Sequence, residues 1–415
     1  MKIIKSEKYP INSFVNNTSK LTPNIIHSQA KIIGIFSESK VGDKSQALGI
    51  LDEIQQLPKL TYNSIERVEF PITNSNELIK IKNEIIQDLI KGKQVILVMS
   101  GFSINLSAIL KDIKQDLNSI NKDDLYKNII SVATSHEMTH EFLNNQILPT
   151  ITSLPITSLN IIDKEHIQKL TTNSNLERTF GVAHDLSDLQ IKKKCELFEQ
   201  HSTKAIPEIN KQSILLVLGG DYQAEDGTWH NFSKEEAINL TKSICIKHLQ
   251  DGDKLNFVLL DSPRTGVCSE DGKLLETNPH KAGIVNEVIK AVEDVIKSYN
   301  CTVETFSLML NQKTVVSALA PALQKFAKHA NYKDAIVTGE STTMVTQLFG
   351  ILPKMTVACI SSMNMEHKNY VDELFRLGII NIIDNNGNFS EHNSTEIIHI
   401  TPASKQIASA VEKYI

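Results

Sequence analysis

Short apolar runs alternate with longer stretches of helical period along almost the whole chain. In the first half the runs at 31–36, 66–70, 94–99 and 129–133 read as strands. Between them, Ala47, Leu48, Leu51 and Ile54, and then Leu78, Ile81, Ile85, Ile86 and Leu89, recur at the spacing of one helix face. The stretch 150–185 is rich in Thr, Ser and Asn, with one short strand expected at 158–162 and a helix over 187–201 after it. The second half repeats the alternation. Apolar runs at 213–218, 255–260, 303–306, 335–337, 355–360 and 379–383 are separated by helical stretches at 233–249, 282–298, 314–329 and 341–349, and a last helix covers 404–414. Strands alternating with helices predict parallel, doubly wound sheets. The fold class expected is therefore α/β, with two Rossmann-like domains facing across a cleft.

Length supports two cores: 415 residues exceed what one domain of ordinary size holds. The boundaries read as an irregular arm at 1–28, an N-terminal domain at 29–185, a connector helix at 186–210, a C-terminal domain at 211–400, and a helix at 401–415 that packs back on the first domain. Hydrophobic residues at 41% and charged residues at 22% describe a globular chain. A net charge of −5 argues against a broad nucleic-acid footprint. No apolar run reaches the roughly 20 residues of a membrane span, and the start MKIIKSEKYPINSF lacks a signal-peptide core. Five cysteines without CxxC pairing fit reduced thiols, so a cytoplasmic setting is expected.

In doubly wound sheets the functional loops gather at the carboxyl ends of the strands. The stretch 334–363 shows the pattern most clearly. Its strand stops at Thr338-Gly339-Glu340, the hydroxyls of Ser341, Thr342 and Thr343 can cap the helix that follows, and Gly350 and Pro353 end it. A hydroxyl-rich helix start after a strand is suited to an anion. Two further loops in the second half point the same way, Gly219-Gly220-Asp221-Tyr222 and Asp261-Ser262-Pro263-Arg264-Thr265-Gly266. A glycine-opened loop, a guanidinium and a helix N-terminus together suit a diphosphate. Ser233 with Glu236 three residues on reads as a capping box for the helix at 233–249.

The first half offers loops at 37–46, 100–103 and 134–140. Lys40 and Lys44 flank Gly42 in a sequence that matches neither the P-loop nor GxGxxG; Asp43 reads either as a helix cap or as a site residue. Ser100 and Gly101 open the second loop, and the third contains His136-Glu137-Met138-Thr139-His140, a literal HExxH. A zincin carries that motif inside a long helix with a third ligand downstream. Here it follows a strand end in a short segment, and Glu165 and His166 are not clearly presented by a helix. The expectation is a loop without metal.

The segments KVGDKSQALG (40–49), TFGVAHDLSDLQIKKKCELF (179–198), LGGDYQAEDGTWHNF (218–232), SPRT (262–265) and TGESTTMVTQLFGILPKMTV (338–357) resemble the family of the plant mitochondrial fission factor of the elongated-mitochondria type, which has many bacterial members. The resemblance spans most of 31–400. It implies a GT-B-type fold, similar to sugar-nucleotide glycosyltransferases and epimerases such as the lipid-linked GlcNAc transferase of cell-wall synthesis. Pro263 stands where the family has the first of two arginines, leaving Arg264, and Gln347 stands where similar transferases hold the donor ribose with an acid. The loop at 100–103 also lacks a basic residue.

Residues and resemblance together give the expected site. A nucleotide-sugar donor contacts Gly219, Gly220, Arg264, Thr265, Glu340, Ser341, Thr342, Thr343 and Gln347 on the C-terminal side. An unidentified acceptor meets Lys40, Gly42, Gln46, Ser100 and Gly101 on the N-terminal side. His136 or Asp43 takes the acceptor's proton; His136 ranks ahead, since its ordinary pKa suits neutral pH whereas Asp43 needs burial to raise its own, and Asp43 then positions the acceptor. No cofactor or metal is expected, nor nucleic acid. Two alternatives rank lower: a non-catalytic adaptor that uses the fold to bind a protein partner, and, last, a zinc hydrolase through residues 136–140.

Overall fold

The structure, a computed structural model, describes residues 2–3, 29–37, 41–61, 64–72, 75–101, 106–134, 147–155, 168, 171–172, 174–223, 227–249, 254–269, 273–276, 286–307, 317–329, 331–392 and 398–415. The arm at 1–28 beyond residues 2–3, Lys40, Phe102 and Ser103, the HExxH motif, the strand expected at 158–162, and Glu165 and His166 lie outside them. The chain divides into two compact units. One holds Ile3–Asp185 with His399–Ile415, the other Leu186–Ile398 with residues 1–2.

In the N-terminal unit, strands β1 (Gln29–Ser37), β2 (Ser64–Ile72), β3 (Gln94–Ser100), β4 (Ile129–Thr134), β5 (Ile151–Pro155) and β6 (Asn175–Thr179) form one sheet in the order β2-β1-β3-β4-β5-β6. All its pairings are parallel. The alternation of strand side chains sorts the apolar residues into two cores. Ile33, Ile35, Val95, Leu97 and Met99 face helices α2 (Ser75–Ile90) and α3 (Leu106–Ser119) through Ile81, Ile85, Leu110 and Ile113. Ile32, Ile96, Val98, Ile130 and Val132 instead meet Ile50, Leu51 and Ile54 of α1 (Val41–Gln55). The C-terminal helix, residues Ala403–Glu412, joins this second core through Ile407 and Val411. At the amino end of β1 the buried Lys31 pairs with Asp88 (2.9 Å), Glu66 (3.3 Å) and Glu84, and Lys93 pairs with Asp88 and Glu66.

The C-terminal unit opens with α4 (Asp188–His201), capped by the Ser187 hydroxyl on Gln190 N–H. It then runs through β7 (Ser213–Leu218), α5 (Lys234–His248), β8 (Asn256–Asp261), α6 (Glu287–Ser298), β9 (Thr302–Ser307), α7 (Leu319–Lys328), β10 (Asp334–Thr338), α8 (Thr342–Phe349), β11 (Thr356–Ala358), α9 (Met365–Arg376), β12 (Asn381–Ile383) and β13 (Phe389–Ser390). The sheet order is β9-β8-β7-β10-β11-β12-β13, parallel except for β13. Counted from β7, this is the Rossmann order, in which the chain reverses its direction of winding between β7 and β10. Every residue of β7 and β10 is buried, as strands covered on both faces must be.

Three expectations are corrected. Helix α1 begins at Val41, so Gly42, Asp43 and Gln46 lie in its first turns instead of an open loop, and Asp43 is not its cap. Helix α4, within the expected connector, contributes Ile191, Cys195 and Phe198 to the C-terminal core. Ser233 caps α5, but Glu236 does not return the bond; its carboxylate accepts from Ser361 N–H and Oγ, both at 2.6 Å. Helix α6 starts at Glu287, where Asn286 accepts from Val288 and Ile289 N–H, rather than at 282. Strands β5 and β6 and helix α9 are additional. The sequences ITSLP and NLERT are too polar to announce strands, and α9 is led by the polar segment Asn364-Met365-Glu366-His367.

Candidate functional site

The carboxyl ends of β7, β8, β10 and β11 bring four loops together in the C-terminal unit. β7 ends in Gly219-Gly220, and both glycines are required by what packs on them. A Cβ on Gly219 would lie 1.3 Å from Glu340 Oε1, and one on Gly220 would lie 2.5 Å from the Arg264 carbonyl oxygen. Gly219 N–H donates to Thr338 Oγ1 (2.6 Å) and Gly220 N–H to Glu340 Oε1 (2.8 Å). The glycine loop thus lets backbone approach closely, but its two amides are already engaged.

Around it the β8 loop is fixed by its own polar groups. The Thr265 hydroxyl, fully buried, donates to the carbonyls of Leu218 and Gly219 and accepts from Ser262 N–H (3.0 Å). Ser262 Oγ accepts from Arg264 N–H (3.1 Å), and Asn286 holds the Thr265 carbonyl. Asp221 accepts backbone N–H bonds from Phe232 (2.8 Å), Val267 (2.8 Å) and Cys268 (2.7 Å), joining the β7 and β8 loops. Burial raises the Asp221 pKa, and these three donors offset only part of the rise. From the β11 loop, Ser362 Oγ donates to the Gly220 carbonyl (3.0 Å). Asn364 donates to the Tyr222 hydroxyl, and the Tyr222 ring meets His367 edge-on at 5.1 Å.

Two kinds of donor remain available. The Arg264 side chain is half-buried and has no hydrogen bond or ion pair among the described residues. At the start of α8, Ser341 Oγ accepts from Met344 N–H (3.4 Å). The N–H groups of Thr342 and Thr343 have no acceptor among the described residues, as expected of a helix's first turn. Glu340 is buried, 1% exposed, against the glycine loop, and its Oε2 has no partner among the described residues. Burial raises its pKa; the charge of Arg264 and hydrogen bonds from Thr338 and Gly220 offset part of this. Gln347 lies buried in the second turn of α8.

The N-terminal unit has its own polar edge where β1 and β3 end. Asp43, buried in the first turn of α1, lies against Gly101, so that a Cβ on Gly101 would fall 2.2 Å from Asp43 Oδ2. Gly101 has φ +82°, a conformation that favours glycine. Gln46 and Ser100 are buried nearby in sequence, and Gln46 Oε1 and Ser100 Oγ have no hydrogen-bond partner among the described residues. Of the other expected acceptor-side residues, Gly42 lies in the first turn of α1, whereas Lys40 and His136 are outside the described residues.

No protein-family model and no curated protein matches the sequence. Solved structures that resemble it include Staphylococcus aureus MnaA in complex with UDP, at 11% identity and TM-score 0.42 over 93% of this chain and 89% of that one. A glycosyltransferase from Rickettsia africae is 10% identical, with TM-score 0.41 over 93% of both chains. OtsA without ligand is 8% identical, with TM-score 0.43 over 93% and 91%. These are distant similarities of chain course, and the reading of the site rests on this chain's own residues.

Three contributors to the C-terminal edge lie outside the expected contact residues. Asp221 followed the glycine pair and carried a signal, as an acid next to a turn. Asn286 and Ser362 carried none, because each acts on a loop distant in sequence.

Proposed function

We propose that the C-terminal unit binds a nucleoside-diphosphate sugar and that the protein transfers the sugar to an acceptor held by the N-terminal unit. One observation carries this reading. At the point where a Rossmann-ordered sheet reverses its winding, the Arg264 guanidinium and the first-turn amides of α8 have no acceptor among the described residues. Such a crevice is where doubly wound sheets take their ligands, and a helix start with an arginine complements a diphosphate.

Departure of the diphosphate builds negative charge, and donors fixed in advance stabilise it without a metal having to be recruited. In this reading Gly219 and Gly220 let the ligand approach the backbone, and the hydrogen bonds of Asp221 and Thr265 hold the loops in place. The N-terminal edge at Asp43, Gln46, Ser100 and Gly101 is assigned to the acceptor, with Asp43 as its positioning group and His136 as general base.

The test is a thermal-shift screen against UDP-, GDP- and ADP-sugars, followed by measurement of diphosphate release. A shift with one nucleotide class and release in the presence of an acceptor supports transfer. Saturable binding without turnover favours the adaptor reading. Absence of any shift removes the donor site.

A further inference from the structure

The proposed transfer gives no role to the buried Glu340. Glu340 follows β10 at the winding reversal, and its carboxyl group occupies the space above Gly219 Cα that a side chain would fill. Its Oε1 accepts Gly220 N–H at 2.8 Å, and its Oε2 is enclosed with no partner among the described residues. An ionised carboxylate held there with one oxygen unsolvated would be costly; a neutral carboxyl group is the cheaper state. Among the described residues the groups brought to this edge are few. The β8 loop brings Arg264, whose charge favours ionisation. The β7 loop brings Asp221, which is turned to the amides of Phe232, Val267 and Cys268. The β11 loop brings the Ser362 hydroxyl, spent on the Gly220 carbonyl, and Met363 against Gly339. β10 itself supplies the Thr338 hydroxyl.

Arg264 is thus the one cation among these groups, and in the proposed function it is also the group that meets the diphosphate. From this geometry we infer that Glu340 is a proton-holding positioning residue, which couples diphosphate binding at the C-terminal edge to proton uptake. The inference rests on the donor reading above. A diphosphate engaged by Arg264 removes that side chain's support for ionised Glu340 and adds negative charge of its own. Binding therefore favours the protonated form. Affinity is level at pH values where free Glu340 is already protonated. Above that range it falls by up to about tenfold per pH unit, until the bound form also titrates.

The test has two arms on the full-length protein. Infrared difference spectra of wild type against Glu340→Gln, without nucleotide, report a buried protonated carboxyl directly. Calorimetry with UDP, ADP and GDP, from neutral to alkaline pH and in buffers of different ionisation enthalpy, reports proton uptake. The expected results are a protonated-carboxyl band that Glu340→Gln removes, and a wild-type affinity that weakens with pH. The variant's affinity, whatever its level, does not vary with pH over the range, because an amide does not titrate. An absent band throughout the pH range, or identical pH profiles for the two proteins, overturns the inference. Binding of no diphosphate by wild type at any pH overturns the donor reading and the coupling with it, a result distinct from unequal binding with parallel profiles.

Discussion

Gly219 and Glu340 share one space, so each sets what the other can be. Placing a methyl group on Gly219 drives it into the Glu340 carboxyl group at 1.3 Å. Gly219→Ala should cost about 1–3 kcal/mol, the usual range for overpacking. The neighbouring atoms belong to a side chain, so Glu340→Ala in the same chain should recover part of that loss. Urea denaturation of the two single variants and the double variant measures this coupling; simple additivity would mean that the contact is not the cause. The charge of Glu340 gives a second expectation. Its folded pKa is raised above the ordinary value of 4.5 by burial, so its contribution to stability is complete below that value. The contribution is lost as pH rises through the folded value. Glu340→Gln should therefore flatten the decline in stability on the alkaline side of pH 4.5, as followed by thermal denaturation across pH.

Among the elements, the helix at residues Ala403–Glu412 is far from the N-terminal unit in sequence yet completes its core. Ile407 is fully buried there, and Ile407→Ala should cost about 2–5 kcal/mol. Hydrogen exchange should show the loss in the strands of the N-terminal sheet, and protection unchanged there would contradict the packing. The ion cluster around Lys31 ties β1 to α2 in the same unit. Burial alone would raise the Asp88 pKa, but hydrogen bonds from Lys31 and Lys93 hold it below its ordinary 3.8; a hydrogen bond from Lys93, with help from Lys31, holds Glu66 below 4.5. The stability these acids contribute is present above their ordinary values and is lost as pH falls through the folded ones. Lys31→Met leaves the buried Asp88 with Lys93 alone, and should cost on the order of 3 kcal/mol at neutral pH. The cost should shrink in acid; a pH-independent cost would point to lost packing instead.

Elements such as these also show what could be read from the chain. β3, β7 and β10 announced themselves because strands covered on both faces are continuous apolar runs. The polar strands β5 and β6 did not, since their pairing within the sheet and not their composition makes them strands. At the candidate site, Gly219, Gly220, Arg264 and Ser341 were legible as turn, cation and cap. The engagement of the glycine amides by Thr338 and Glu340 was not, because that contact joins two strand ends that lie more than a hundred residues apart.

For the whole molecule, each of two Rossmann-like units presents a polar carboxyl edge, and the central claim concerns the edge of the C-terminal one. Its core, loops and caps hold Arg264 half-buried, its charge acting on Glu340, without giving its guanidinium an ion-pair partner among the described residues. A guanidinium kept in this way should be worth more to an anionic ligand than a surface ion pair. The direct measurement is calorimetric titration of UDP, ADP and GDP into wild type and Arg264→Ala. The account predicts saturable binding of at least one diphosphate by wild type, weakened in the variant by on the order of 2–4 kcal/mol. Equal binding by the two proteins, or none by wild type, would contradict it.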